Sequence, residues 1–365
     1  MANKILYIAT NASAGMRHFV VSILKIMFED TAFECYAILQ SEPGNDYKKD
    51  IPDSCKGRIV FMNAPRGKFQ QIATLLYPKS LYTCIEKVCV KHHIDTIHFL
   101  TEDPCISTVL KSLKKKYNLY YTVHDFVTHE IQYRNVLHRM WHDWSLRKRV
   151  KKMIDSIDNL VTCSRFQYQQ LVESYPHKKV YYHVFPSLVT DVVKTGGKEV
   201  VELRGIGNYV LFFGRVEKYK GVDLLYAAFK DYPQLKDEIL VIAGKGNVYF
   251  DYENLPNVIW LNRFILDEEI KNLFQKAKCV VFPYISATQS GVFSFCFYFN
   301  KQVIASDIPF FREFAGSGVH LFETGNVVDL TEKLQGISSL RVRNEYERIY
   351  SEQGLRQSLL KLYKV

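Results

Sequence analysis

The feature that most constrains this chain is an alternation of short β-branched or aromatic runs with helical patterns, and it occurs twice. In the first half the runs are Ile5–Ala9, Glu34–Leu39, Arg58–Met62, Thr96–Leu100, Leu119–Val123, Asn159–Thr162 and Val180–Val184, separated by helical patterns over 16–28, 67–91, 104–116 and 131–156. Parallel strands need a helix-length crossover, so this alternation predicts a parallel sheet covered on both faces. The pattern lapses around Pro186–Gly207, with Thr195-Gly196-Gly197-Lys198 as its clearest punctuation. It restarts with Tyr209–Phe213, a helix from Lys220, Ile239–Ala243, Val258–Leu261, a helix from Asp267, Cys279–Pro283, a helix near Gly291 and Val303–Ala305. The expected fold is α/β, with two Rossmann-like doubly wound domains facing a central cleft. Their expected bounds are 1–190 and 208–340, joined by a linker at 191–207. A charged helix at 341–365 is expected to pack back on the first domain.

A chain of 365 residues with 47% hydrophobic residues can build two such cores. The first residues carry only a short apolar run without a small-residue cleavage site, unlike a signal peptide. No stretch is apolar for ~18 residues, the length a spanning helix needs. The eight cysteines show no C-x-x-C spacing, and Cys163 and Cys279 lie inside apolar runs, as buried free thiols do in a reducing compartment. A cytoplasmic protein is expected. The formal net charge of +10 is partly local: residues 131–153 hold seven Lys or Arg against the single acid Asp143. That concentration points to an anionic surface or ligand. No nucleic-acid-binding module accompanies it, so nucleic acid is not an expected partner.

The densest chemical signal is Phe213-Gly214-Arg215-Val216-Glu217-Lys218-Tyr219-Lys220-Gly221-Val222-Asp223. A strand ends in a glycine that admits close backbone approach, followed by a guanidinium, an ammonium and a helix start. Arginine binds phosphate bidentately, lysine acts as a point charge, and the helix N-terminus adds its dipole. Together they make a diphosphate clamp. In the first half, Ile5–Ala9 runs into the small-residue turn Thr10-Asn11-Ala12-Ser13-Ala14-Gly15, where a doubly wound sheet usually holds anions.

The second half resembles the retaining glycosyltransferases of the family-4 type (glycosyl transferases group 1), whose fold is GT-B. The resemblance rests on five stretches in order: Gly214-Arg215 through Asp223, Val241-Ile242-Ala243-Gly244-Lys245-Gly246, Asn262-Arg263-Phe264-Ile265 through Pro283-Tyr284, Thr288-Gln289-Ser290-Gly291-Val292, and Lys301–Ala305 with Phe311-Arg312-Glu313. It covers the first half more loosely. The resemblance implies that Arg215 and Lys220 neutralise a donor diphosphate beside Gly214. It implies that the amides of Ser290, Gly291 and Val292 hold phosphate and sugar, and that Phe264 and Ile265 meet the base. Gly15 is similar to the family's small residue after the first strand, and His124, after Tyr121-Thr122-Val123, to its histidine at the donor sugar. Asp125 adjoins it, Glu102-Asp103 either approach the acceptor or are ordinary surface acids, and His129-Glu130 is a weaker second candidate. The sequence departs from the family's E-x7-E: Gln289 (or Thr288) takes the first place, and the second falls within Ser294–Phe297.

The resemblance implies a retaining enzyme that moves a sugar from a nucleoside diphosphate donor to a glycan or lipid-linked acceptor, in surface polysaccharide or glycoconjugate synthesis. The alternatives are a catalytically degenerate nucleotide-sugar-binding protein and a nucleotide-sugar epimerase. No D-x-D and no metal-ligand cluster occurs, so neither metal nor other cofactor is expected, the cations at 215 and 220 standing in for Mg²⁺. Last, Tyr133, Val136, Leu137, Met140, Trp141 and Trp144 form one apolar face on a basic helix over 131–152. That face either packs on the core or docks at an anionic membrane surface, which would make the protein peripheral on the inner face of the membrane.

Overall fold

The protein's structure, a computed structural model, describes residues 3–10, 14–41, 47–65, 67–126, 135–337 and 344–363. The chain divides into two compact units, Met1–Pro186 with Glu352–Val365, and Ser187–Ser351. The first holds seven parallel strands: β1 (Asn3–Ala9), β2 (Phe33–Ser41), β3 (Ile59–Asn63), β4 (Thr96–Phe99), β5 (Asn118–Thr122), β6 (Asn159–Thr162) and β7 (Lys179–Tyr182), in the order β3-β2-β1-β4-β5-β6-β7. Along β1, Ile5, Tyr7 and Ala9 enter one core with Phe19 and Leu24, while Leu6 and Ile8 enter the other with Ile85 and Leu110. A strand buried on both faces reads as a continuous apolar run, which is how this one appears in the sequence.

The second unit repeats the plan with six parallel strands: β8 (Tyr209–Phe213), β9 (Leu240–Ala243), β10 (Val258–Leu261), β11 (Ala277–Phe282), β12 (Gln302–Ser306) and β13 (Val319–Phe322), in the order β10-β9-β8-β11-β12-β13. Each order reverses once, between β1 and β4 and between β8 and β11. In doubly wound sheets ligands collect outside the carboxyl ends of the strands at such reversals. The four-residue strand β13 and the helix Val327–Gly336 after it are not in the sequence expectation. Val-His-Leu-Phe is too short to show a period.

Several boundaries differ from those expected, each for a local reason. Residues 191–207 are not a linker. They form a helix, Asp191–Thr195, capped by the Thr190 hydroxyl, and a turn, Val201–Leu203, and they bury Val193, Val200 and Leu203 in the core of the second unit. Gly196 is a packing glycine there: a Cβ on it would stand 2.7 Å from the Val192 carbonyl and 2.8 Å from that of Glu268. The pattern over 67–91 splits into Gly67–Leu76 and Lys79–His92, because Pro78 cannot continue a helix. The expected terminal helix is two helices, Tyr346–Tyr350 in the second unit and Glu352–Leu362 in the first, where Leu355, Leu359 and Leu362 join the core around Tyr7. Tyr363 reaches His98, whose other nitrogen meets the Thr122 hydroxyl at 2.8 Å. The eight cysteines are unpaired and mostly buried. Among the described residues no helix is long and apolar enough to cross a membrane.

Candidate functional site

The second unit assembles its cations at the reversal between β8 and β11. As β8 ends, Gly214 takes φ +142°, and its amide bonds the Ala243 carbonyl at 3.0 Å. Residues Lys218–Lys220 then make one tight turn, Gly221 turns left-handed at φ 62°, and the helix Val222–Asp231 begins, two residues later than expected. The turn is pinned to the end of β11 by the Ile285 amide, which donates to the Tyr219 carbonyl at 2.7 Å. Gly221 lies so close to that strand that a Cβ on it would stand 1.9 Å from the Pro283 carbonyl oxygen. Glycine is required at this corner by both its conformation and its space.

This turn buries Lys220, of which 8% is exposed. Its Nζ lies beside Gly214, 3.1 Å from where a Cβ would be, and over the rings of Tyr219 and Tyr284 at 5.8 and 5.7 Å. Aromatic faces attract an ammonium but do not neutralise it. Among the described residues no carboxylate comes within ion-pair distance of it, and burial pulls its pKa down to about 8, with Glu217 opposing and Arg215 adding to the fall. Arg215 is exposed and pairs with Glu217 at 3.2 Å. One buried and one exposed cation at a strand end, with a single surface acid between them, make a receptor for a compact dianion.

The loop read as holding the phosphate and sugar belongs to the same corner. The hydroxyl of Ser290 lies beside the phenol of Tyr284, the ring that faces Lys220. Ser290, Gly291 and Val292 precede the helix Phe293–Tyr298, and their carbonyls accept from Phe293, Ser294 and Phe295. Gln289, just before them, is half-buried. The second family carboxylate position is core: Ser294 bonds the Gly291 carbonyl at 2.8 Å, and Phe297 packs on Phe293, Phe314 and Tyr350. Phe264 is exposed on the loop after β10, at the far edge of the sheet. Ile265 follows it on the same loop, with its side chain buried in the core. Its neighbour Arg263 is bound to Glu202 and Glu269, which fixes the loop.

In the first unit the corresponding reversal gathers a histidine and several carboxyl groups. Gly15 is the second residue of the helix Ala14–Glu29 after β1. His124, at the end of β5, is buried; its Nε2 is bonded to the Leu100 carbonyl at 2.8 Å, and its ring stands edge-on to Phe19 at 4.9 Å. Burial lowers its pKa, so the imidazole is neutral near pH 7, with Nε2–H as donor and Nδ1 as acceptor. Glu102 is pushed up to about 7 by burial and by Asp125. Asp103, next to it, is wholly buried, and burial pushes its carboxyl well above the ordinary range against the lowering effect of the Thr10 amide and the Thr101 hydroxyl. The exit turn of β5 is held by Gln167, which accepts from the Phe126 amide at 2.7 Å and donates to the Val123 carbonyl and the Thr162 hydroxyl at 2.7 and 2.6 Å. His129 and Glu130 lie outside the described residues.

Sequence reasoning missed Tyr219, Tyr284 and Gln167. Tyr219 and Tyr284 flank motif residues and carried a signal in that adjacency. Gln167 carried none, since a glutamine in a helix is ordinary.

Comparison with known proteins fits this geometry. Residues 198–355 match the family described as Glycosyl transferases group 1. In structure the chain is similar to HepE of Anabaena in complex with UDP and glucose (TM-score 0.67, 15% identity, 98% of each chain covered). It is similar to sucrose-phosphate synthase of Thermosynechococcus elongatus (0.64, 15%, covering 99% of this chain and 95% of that one). It is also similar to the lipopolysaccharide outer core galactosyltransferase WaaB (0.62, 12%, covering 98% and 99%). No curated protein matches the chain in sequence. The chain has the GT-B fold. The stretch that matches group 1 lies almost wholly in the second unit.

Proposed function

We propose that this GT-B protein transfers a sugar from a nucleoside diphosphate donor to a hydroxyl of a glycan or lipid-linked glycan, with retention at the anomeric carbon. The observation that carries the reading is Lys220, an ammonium buried at the β8–β11 reversal without a carboxylate partner among the described residues. A buried cation of this kind is stabilised when an anion arrives. In the step, the bond from the anomeric carbon to the β-phosphate oxygen breaks on the face where the acceptor oxygen bonds. The acceptor proton passes to the departing phosphate, giving the glycoside and a nucleoside diphosphate. Lys220 and Arg215 stabilise the charge that grows on the leaving phosphate, which is where preorganised charge contributes most. The amides of Ser290, Gly291 and Val292 orient phosphate and sugar, and the base meets Phe264 and the backbone at Ile265. His124 offers a neutral polar contact to the sugar, and Glu102 with Asp125 receives acceptor hydroxyls. The HepE structure with UDP and glucose makes UDP-glucose the first donor to test.

The test is a thermal-shift and hydrolysis screen of UDP, GDP, ADP and CDP sugars in excess EDTA. One donor at 100 times its dissociation constant is expected to stabilise the protein by about 2.7 kcal/mol, and the same donor is expected to be hydrolysed or transferred without added metal. Activity strictly restored by Mg²⁺ or Mn²⁺ would overturn the assignment of the counter-charge to Lys220 and Arg215.

One observation favours a second reading, a nucleotide-sugar-binding protein without transfer: both family glutamates are missing, and Phe297 fills the second place with core. Gln289 separates the two. If its amide replaces the first carboxylate at a donor-sugar hydroxyl, Gln289→Ala lowers transfer several-fold, in line with a hydrogen bond of about 0.5–1.5 kcal/mol, and Gln289→Glu retains activity. Donor binding with neither hydrolysis nor transfer, unmoved by either substitution, decides for the binding protein. The sequence reading also offers an anionic membrane surface as one of two places for the basic helix, and vesicle binding tests that independently of the chemistry.

A further inference from the structure

We propose that the membrane contact is a two-helix surface of the first unit, in which the helix Gly67–Leu76 inserts beside the basic helix and both meet anionic lipid headgroups. The proposal deepens the membrane reading above and does not depend on sugar transfer.

The basic helix does not use its apolar stripe for the core. Val136, Leu137 and Met140 are exposed, Leu137 by 76%, and Trp141 and Trp144 are partly exposed, paired at 5.3 Å. A π turn at Asp143–Arg147 separates this stripe from the turns that follow. There Val150, Met153 and Ile154 are buried, while the stripe before the π turn is left in solvent.

The second helix touches the core only through the partly buried Leu75 among the described residues. Among its ten residues none is buried; Phe69 is 85% exposed, and Ile72, Leu76 and the adjoining Tyr77 are also exposed. Phe69, Ile72 and Leu76 are spaced i, i+3 and i+7, one face of a helix. Beneath it runs a groove of about 800 Å³ lined by Val60, Ala73, Tyr77 and Lys87, so few side chains tie it to the sheet. The two helices are joined through Arg149, which donates to the Leu75 carbonyl at 2.7 Å and stacks on the Trp144 ring at 4.7 Å. Phe69, Leu76 and Tyr77 therefore continue the surface that Trp141 and Trp144 begin.

Charge selects the occupant. Residues 67–79 and 135–152 hold eight Lys or Arg against the single acid Asp143, which is shared by Arg139 and Arg147. A second copy docked on the same face would oppose like charges. An anionic bilayer offers phosphates to the bases and an interface where tryptophan is favoured.

The experiment is co-sedimentation of the full chain with phosphatidylcholine vesicles, with and without 30% phosphatidylglycerol, at about 0.1 M and 1 M salt. Binding is expected only to the anionic vesicles, and it falls at high salt as screening shortens to about 3 Å. Phe69→Ser with Leu76→Ser and Tyr77→Ser, three exposed positions, is expected to lower partitioning at least ~10-fold with an unchanged melting temperature. Wild-type-like binding by this variant overturns the two-helix surface and leaves the basic helix as the membrane contact. No binding by the wild type overturns both. A variant that loses self-association, with vesicle binding unaltered, identifies the face as a protein interface and also overturns the proposal.

Discussion

Lys220→Met and Arg215→Ala are each expected to lower sugar transfer by at least ~10²-fold, the scale on which removal of one preorganised charge stabiliser acts. The two replacements should part in their effect on stability. Arg215 is exposed and bound only to Glu217, so its loss leaves the melting temperature nearly unchanged. Lys220 is buried, and its pKa of about 8 lies below the ordinary lysine value. The unfolded chain therefore binds more protons between about pH 8 and the ordinary lysine pKa, and stability rises with pH across that window. Below pH 8 the buried charge costs up to roughly 3 kcal/mol. Lys220→Met removes that charge and is expected to raise the melting temperature at pH 7 while transfer is lost. The same titration sets the activity profile. Donor binding to the free enzyme is full below about pH 8 and weakens above it, whereas bound diphosphate holds the proton on, so kcat persists to higher pH than kcat/KM. A Lys220→Met protein that transfers sugar at the wild-type rate would remove the basis of the proposed function.

Gly221→Ala is expected to abolish transfer and to destabilise the second unit by about 3 kcal/mol or more. Two costs add: a left-handed conformation for a residue with a Cβ, about 1–2 kcal/mol, and overpacking against the Pro283 carbonyl, about 1–3 kcal/mol. With φ at 62° and a Cβ–oxygen approach of 1.9 Å, the turn must move off the end of β11. That movement takes Lys220 away from Tyr284, hence from the loop at Ser290. Gly207→Ala is the control, since a Cβ there meets nothing within 4 Å. Urea unfolding and a transfer assay on both proteins check the pair. Gly221→Ala unfolding at the wild-type midpoint with activity intact would show that the corner does not depend on this glycine.

Much of this was legible in the chain, and the reason is periodicity. Parallel strands buried on both faces read as short apolar runs, so Ile5–Ala9 and Tyr209–Phe213 were recognisable, and the glycines and cations after Phe213 marked where ligand chemistry would sit. Gly214, Arg215 and Lys220 lie in the same unit as Tyr284 and Ser290–Val292, with Lys220 over the Tyr284 ring and the Ser290 hydroxyl beside it. Those signals are local: a dihedral preference, a repeat of two or 3.6 residues, a charge beside a helix start.

Other features depended on neighbours far along the chain. Gly196 read as linker punctuation because its need for space comes from Glu268, more than seventy residues on. Ile265 read as a base contact, and the second unit's core claims its side chain. The sequence left open whether the stripe from Val136 to Trp144 faces the core or the solvent, and in the folded unit it faces solvent because Val150, Met153 and Ile154 of the following turns take the core contacts. The sequence by itself therefore determined two doubly wound units and the stretches that end β8 and precede the helix Phe293–Tyr298. Only the tertiary structure decided that Lys220 is buried while Arg215 is exposed, because the burial of a charge is set by what β11 places against it, the Pro283 backbone at Gly221 and the Tyr284 ring, and no local pattern records that encounter.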